Sequence, residues 1–238
     1  WEDFYQVINY CNEVIKNAPE VQDRDDTFND YLLQGFLAEA HFFFFLNYFY
    51  LVRIFRDVPL ILEPSDDDEV DFYVSKSDGA EVLQKIKEDL IAYRNFAPAD
   101  GFPTLEENKG RASVAAFDAL LADIALWNFE YEECLTHIAR IETSEKYRLL
   151  ERINWFELYS PGNSIESIFE FQFDESKGQS NSMYDLTRVN AHRYDPSERA
   201  LELFNPLFYS VDLYRGEGVS IKKYGEDDYI IWKYVGML

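Results

Sequence analysis

Positive charge is scarce in this sequence: 22 Lys and Arg stand against 45 Asp and Glu, a formal net charge of −23. A surface so acidic repels phosphate backbones and anionic lipid, which excludes nucleic acid and a membrane surface as partners. Cysteine is scarcer still. Cys11 and Cys134 lie far apart on expected helices and read as buried thiols, with one disulfide in an oxidising compartment left open as the alternative. No apolar run reaches the about 18 residues a spanning helix needs. The stretch from Phe42 to Leu46 comes nearest, but His41 precedes it, Asn47 and Arg53 interrupt it, and Arg56-Asp57 close it, so it reads as a buried core helix. The signatures of catalysis are missing as well. There is no P-loop and no nucleophile elbow, and Gly216-Glu217-Gly218 is a lone GxG. Cys134 and His137 have ligand spacing but no second pair nearby, and His41 and His192 are isolated, so neither a metal nor a cofactor is expected. With 45 carboxylates, no two can be singled out as a glycosidase pair. The chain opens on Trp1, with neither Met nor a signal peptide, and this start reads as cut.

What the sequence has in abundance is aromatic side chains. They make up 17% of it, including 20 Phe and 17 Tyr, more than core filling usually demands. Either the core is rich in Phe, or some Tyr and Trp lie outside as stacking platforms. Apolar spacing predicts a helix over residues 3–17 with Pro19 just past its end, a second from Asn29 to Phe55, and a linker over residues 63–79. The acidic run from Asp66 to Glu69 lacks the central Gly of an EF-hand and reads as a solvated loop. Asp78 and Glu81 suggest a capping box, opening a helix that carries Val82, Leu83, Ile86 and Leu90. Pro98 and Gly101-Phe102-Pro103 mark a connector. Helices then follow from Ala112 to Asn128, with Ala at every third or fourth position, and from Tyr131 to Glu142. The fold class expected is mainly α: residues 1–142 read as helices in antiparallel pairs, the architecture of tetratricopeptide-like solenoids, but without the strict consensus of that repeat, which periodicity alone does not establish. Residues 143–238 are expected to form an irregular, partly β, loop-rich region. There Phe169, Phe171 and Phe173 alternate like a strand, residues 174–198 read as a long loop, and residues 220–235 read as a hairpin turning near Gly225 to Asp228. Trp127, Trp155 and Trp232 are assigned to the core.

Several stretches, in order, resemble the SusD-like (RagB/SusD) family. The first is Trp1-Glu-Asp-Phe-Tyr5 with Ile8 and Cys11-Asn12. The second runs through Ala38-Glu39-Ala40-His41-Phe42-Phe43 to Tyr48-Phe49-Tyr50-Leu51-Val52-Arg53-Ile54-Phe55-Arg56-Asp57-Val58-Pro59-Leu60-Ile61, where the family usually has Arg at His41 and Gly at Arg56. The third is Val74-Ser75-Lys76-Ser77-Asp78. The fourth is Lys109-Gly110-Arg111-Ala112-Ser113, continuing to Leu126-Trp127. The fifth is Glu166-Ser167-Ile168-Phe169-Glu170-Phe171-Gln172-Phe173. The resemblance covers about residues 1–173. It implies tetratricopeptide-like helix pairs in an α-α superhelix over residues 1–142, with the irregular, partly β region of residues 143–238 packed on it in the same domain. It also implies a non-enzymatic, surface-exposed lipoprotein of the outer membrane of Bacteroidetes, which binds an oligosaccharide or other nutrient and delivers it to a TonB-dependent SusC-like transporter. Members are considerably longer, so the chain is expected to be incomplete at both ends, with the N-terminal lipid anchor lying outside it. The rivals are a helical protein-interaction scaffold and a glycoside hydrolase.

A saccharide site needs an aromatic face for the apolar side of the sugar and planar polar groups for its hydroxyls. Tyr184, Arg188, Asn190, His192, Arg193 and Tyr194 supply that mixture in one loop. The resemblance adds Trp1, because ligand contacts in the family also come from near the start of the first helix. The expected glycan-binding residues are therefore Trp1, Tyr184, Arg188, Asn190, Arg193 and Tyr194.

Overall fold

The computed structural model describes residues 1–65, 73–98, 102–190, 193–204, 216–225 and 228–235. The acidic run from Asp66, Gly101, His192, and Glu226 and Asp227 at the tip of the expected hairpin lie outside the described residues. The chain divides into two compact units, Trp1–Lys146 and Tyr147–Leu238.

The first unit is built of helices. α1 spans Glu2–Gln22 and carries Glu2 and Asp3 in its first turn, where carboxylates meet the positive end of the helix. It continues through Pro19, which corrects the expected end at residue 17. A proline near a helix end forfeits only one N–H donor, and packing on the next helix outweighs that loss. Asp25 then accepts from the amide of Thr27 at 2.9 Å and from its hydroxyl at 2.6 Å, a local turn that ends the chain's rise. α2 spans Asp30–Phe55, and Asn29 caps it by accepting from Leu32 N at 3.1 Å.

α2 is apolar nearly all round because helices cover it on several sides. α1 packs on it, as do α3 (Gly79–Tyr93) and α5 (Val114–Trp127). By length and composition α2 could cross a membrane, but 56% of its most apolar window is buried inside the protein. Phe42, Phe44, Phe45, Tyr48 and Phe49 are all buried, Phe44 lies 4.8 Å from Tyr48 and Phe42 lies 5.3 Å from Phe117 of α5, ring centre to ring centre. Each such ring contributes about 2 kcal/mol by leaving water. α3 in turn packs on α5, and α5 on α6 (Tyr131–Thr143). The fold is mainly α, with each helix pair burying its face against the next in the tetratricopeptide manner.

Two features of this unit depart from the sequence expectation. Asp78 does cap α3, accepting from Ala80 N at 2.9 Å, but the reciprocal capping box lies elsewhere. It forms between Thr104 and Glu107 and opens α4 (Leu105–Lys109), a helix where a connector was expected. The linker between α2 and α3 also pairs with itself. β1 (Val58–Pro59) and β2 (Lys76–Ser77) are antiparallel, with Val58 opposite Ser77.

Half-buried charges tie the helices together. Arg111 grips Glu39 through both side-chain forks, with Nε 2.6 Å from Oε1. Lys87 donates to Glu130 at 2.7 Å and to Glu133 at 2.5 Å. Both thiols are buried and unbridged. Trp127, expected in the core, is 46% exposed at the end of α5, and Arg53 covers one face at 5.3 Å from its ring centre.

Among its described residues, the second unit has little regular structure. It contains a 3-10 segment at Arg152–Leu158, α7 (Ser182–Thr187), α8 (Glu198–Phe204), and a hairpin of β3 (Ile221–Tyr224) and β4 (Asp228–Ile231) in antiparallel register. The expected strand at Phe169–Phe173 is not formed. Phe171 and Phe173 are exposed, and a reciprocal amide pair between Asn163 and Gln172, at 2.9 and 3.0 Å, takes the place of a ladder. The expected long loop over residues 174–198 is broken by α7 and the start of α8. Trp155 and Trp232 are half-buried rather than core residues, and Lys222 Nζ sits 4.0 Å from the Trp232 ring centre.

Candidate functional site

α7 is short because it is made by its cap. Asn181 accepts from Met183 N at 2.9 Å, and one turn later Arg188 N donates to Tyr184 O at 2.8 Å. Chain reversal follows from one acceptor. The carbonyl oxygen of Leu186 receives the amides of both Arg193, at 2.8 Å, and Tyr194, at 3.3 Å. That fold-back returns residues 193 and 194 to the turn that carries Tyr184 and Arg188. Tyr184, Arg188, Asn190, Arg193 and Tyr194 are all exposed, the two tyrosines by 48% and 58%. The guanidinium of Arg188 stands 3.8 Å from Asp185, a solvated pair that leaves its donors available. Asn190 Oδ1 accepts from the hydroxyl of Tyr224 at 3.2 Å. Tyr224, at the end of β3, is therefore part of this surface. It lies 34 positions from Asn190, and nothing local in the sequence announces the pairing.

The chemistry on offer here is flat and polar. Tyrosine rings present apolar faces with a hydroxyl at the rim, and guanidinium and amide planes donate in pairs. Such groups suit a ring of carbon bearing alternating hydroxyls. A further aromatic group in this unit was not singled out from sequence. Tyr159 lies 5.3 Å from Trp155 and 5.6 Å from Tyr234, with Lys233 Nζ 4.7 Å from the Tyr234 ring centre.

Trp1 belongs to the other unit and has its own surroundings. Its ring is 52% exposed, edge-on to Phe55 at 4.7 Å and tilted against Tyr5 at 5.5 Å. It stands over a groove of about 600 Å³ whose floor is α1 and whose wall is the segment from Pro59 to Ser65. One face of α1 holds that wall in place. Tyr5 donates to Pro59 O at 2.7 Å, Asn12 to Ile61 O at 3.1 Å, and Asn9 accepts from Ser65 N at 2.7 Å. Burial pushes the Tyr5 phenol up to about 12, so it stays a neutral donor at any ordinary pH. From α2, Tyr48 accepts from Ile61 N at 2.7 Å. Asn9 and Glu63, the polar residues of this groove, were not among the expected site residues. Among the described residues, no group of three or more His, Cys, Asp or Glu is arranged to hold a metal ion.

Residues 1–126 match the model of the SusD-like family described as "Starch-binding associating with outer membrane". SusD-like protein P25 of Formosa agariphila is 26% identical over 177 residues, covering 74% of this chain and 32% of that protein. Among solved structures, a laminarin-binding SusD-like protein superposes with a TM-score of 0.74 at 22% identity, over 99% of this chain and 58% of that one. A SusD superfamily protein from Bacteroides thetaiotaomicron superposes with a TM-score of 0.79 at 21% identity, over 98% of this chain and 56% of its own. The chain thus spans about a third of that curated relative and less than three-fifths of these solved ones.

Proposed function

The chain belongs to the SusD-like family, and from that premise we propose that it binds a saccharide on the surface formed by Tyr184, Arg188, Asn190, Arg193 and Tyr194. The observation that carries this reading is the double hydrogen bond to Leu186 O, which folds Arg193 and Tyr194 back onto the turn of Tyr184 and Arg188. The surface acts by binding alone. It offers aromatic faces and paired donors, and Asp185 is solvated beside Arg188. In the whole protein this binding serves nutrient capture at the outer membrane. A lipid-anchored, surface-exposed subunit passes the oligosaccharide to a TonB-dependent SusC-like transporter. Trp1, half-exposed over its own groove, is proposed as a second stacking position.

Calorimetric titration tests the reading. One relative is named for laminarin binding, so laminarin oligosaccharides come first and starch fragments second. Binding without release of reducing sugar is expected, weakened about tenfold or more in the Tyr184→Ala, Arg193→Ala double variant, since base-type stacking and charged hydrogen bonds each carry on the order of 1–3 kcal/mol. Unchanged affinity in that variant would remove this surface from the site. Turnover of the glycan would favour a hydrolase instead.

A further inference from the structure

A concave region of the first unit has no part in either surface above. It lies where the first turn of α5 meets the last turns of α6. Arg94, Ala115, Asp118, Arg140 and Ser144 line a cavity of about 320 Å³ there, and Arg94, Arg140 and Ser144 also border an adjoining one of about 450 Å³.

The charges in this cleft do not cancel. Asp118, only 3% exposed, has its acceptors filled: Oδ1 takes Arg94 Nε at 2.7 Å and His137 Nδ1 at 2.9 Å, and Oδ2 takes Arg94 Nη2. With its Nδ1 proton directed at Asp118, His137 cannot also accept from Arg140, whose Nη1 lies 3.2 Å away. Arg140 reaches Asp118 only at 3.5 Å, and its side chain is 48% exposed. One carboxylate therefore faces two guanidiniums. Arg94 is used in full, and Arg140 keeps a charge and most of its donors turned to the cleft.

The nearby backbone has the same polarity. Ser113 caps α5 by accepting from Ala116 N at 3.3 Å, and the amides of Val114 and Ala115 take no partner among the described residues. The C-terminus of α6 opposes them, though hydroxyls of its own last turn donate to two of its carbonyls. Thr143 donates to Ala139 O at 2.7 Å and Ser144 to Ile141 O at 2.6 Å. On a chain of net charge −23, long-range attraction for anions is absent, so an anion held here is held by these local donors.

The geometry points to an oxyanion-binding cleft, which takes a small ligand carrying a carboxylate, sulfate or phosphate group against Arg140 and the first turn of α5. It stands independently of the saccharide reading, in a different unit and on different residues.

The test is an NMR titration of the 15N-labelled chain at constant ionic strength, with glucuronate, inorganic sulfate and inorganic phosphate as probes and glucose as the neutral control. Saturable shifts are expected in the first turn of α5 and the last turns of α6 with a charged probe, and none with glucose. Arg140→Gln should weaken binding about tenfold, the effect of losing a charged hydrogen bond. Ala115→Asp, which the first turn of a helix tolerates, should do the same while leaving Arg140 in place. A preference for glucuronate assigns a sugar acid, and a preference for sulfate or phosphate assigns an ester. Shifts that grow linearly without saturating, or that saturate equally in Arg140→Gln and Ala115→Asp, overturn the proposal.

Discussion

A Cβ added to Gly79 would stand 2.4 Å from the carbonyl oxygen of Arg56. Arg56 ends α2 with φ 67° and ψ −79°, and Asp57 N donates to Phe55 O across it at 3.0 Å, which makes Arg56 the centre of a γ-turn of the strained hand. The start of α3 is thus pressed against this sharp bend. Gly79→Ala is expected to cost about 2–4 kcal/mol, because the clash is with backbone and not with a side chain that can move. Arg56→Gly is expected to gain about 1 kcal/mol by relieving the strained φ, since the Arg56 side chain is 86% exposed and loses little. Urea denaturation of the two variants checks both signs, and a stabilised Gly79→Ala would refute the close approach.

Asp118 gathers Arg94 and His137 in a buried position, and burial works against the hydrogen bonds and charges that hold its carboxyl below the usual range. Asp118→Ala should destabilise by about 3–5 kcal/mol, because it strands a partly buried guanidinium. Pairing it with Arg94→Met should recover most of that loss. A mild single variant would mean that water replaces the carboxylate freely.

His41 is the opposite case, a base with no partner. Neither ring nitrogen has one, the ring stacks on Tyr93 at 3.7 Å, and burial lowers its pKa to about 4. The unfolded chain therefore binds the extra proton between about pH 6.5 and 4, and the folded one does not. Stability should be full above the upper value and fall by roughly 3 kcal/mol as pH drops through that window. Other groups titrate there too, so the informative measurement is the difference between wild type and His41→Phe. The variant should have the shallower slope of stability against pH over that range. Equal slopes would mean that His41 takes up its proton in the folded state as well.

Tyr48 and Tyr5 both reach Pro59 O, but only Tyr48 also accepts, from Ile61 N. Tyr48→Phe leaves a backbone amide without its acceptor and should cost about 1–3 kcal/mol, whereas Tyr5→Phe removes one of two donors and should cost about 0.5–1.5 kcal/mol. Thermal unfolding of the pair ranks them, and a reversed order would contradict the assigned donor roles.

The helices of the first unit were legible because their apolar spacing acts locally, and Asp78, read as a cap, does cap α3. Pro19 misled because a rule about local breaking was overruled by packing against α2. α4 was missed although Thr104 and Glu107 carry the box pattern, since Pro103 and Gly110 on either side read as connector. Phe169, Phe171 and Phe173 alternate as a strand would, but alternation names a strand only when a partner edge exists. Asp118 could not be picked from 45 acids, because its burial depends on three other helical positions meeting there. Tyr224 was invisible for the same reason. The loop that carries Tyr184 to Tyr194 was legible as a composition. Its fold-back on Leu186 O was not, since it depends on a single peptide oxygen.

The hydroxyl of Tyr48 fixes more than a contact. It sits on a rigid helix and meets the amide of Ile61, six positions after the helix ends at Phe55, while Asn12 meets the carbonyls of Ile61 and Glu63 from the other side. The chain between Phe55 and Ile61 is therefore counted residue by residue. An insertion or deletion of one residue there would turn every donor and acceptor of the segment to the wrong side. Loops are ordinarily where a protein can change length at little cost, and this one, the five residues between Phe55 and Ile61 with Val58 buried among them, is expected to evolve by substitution only.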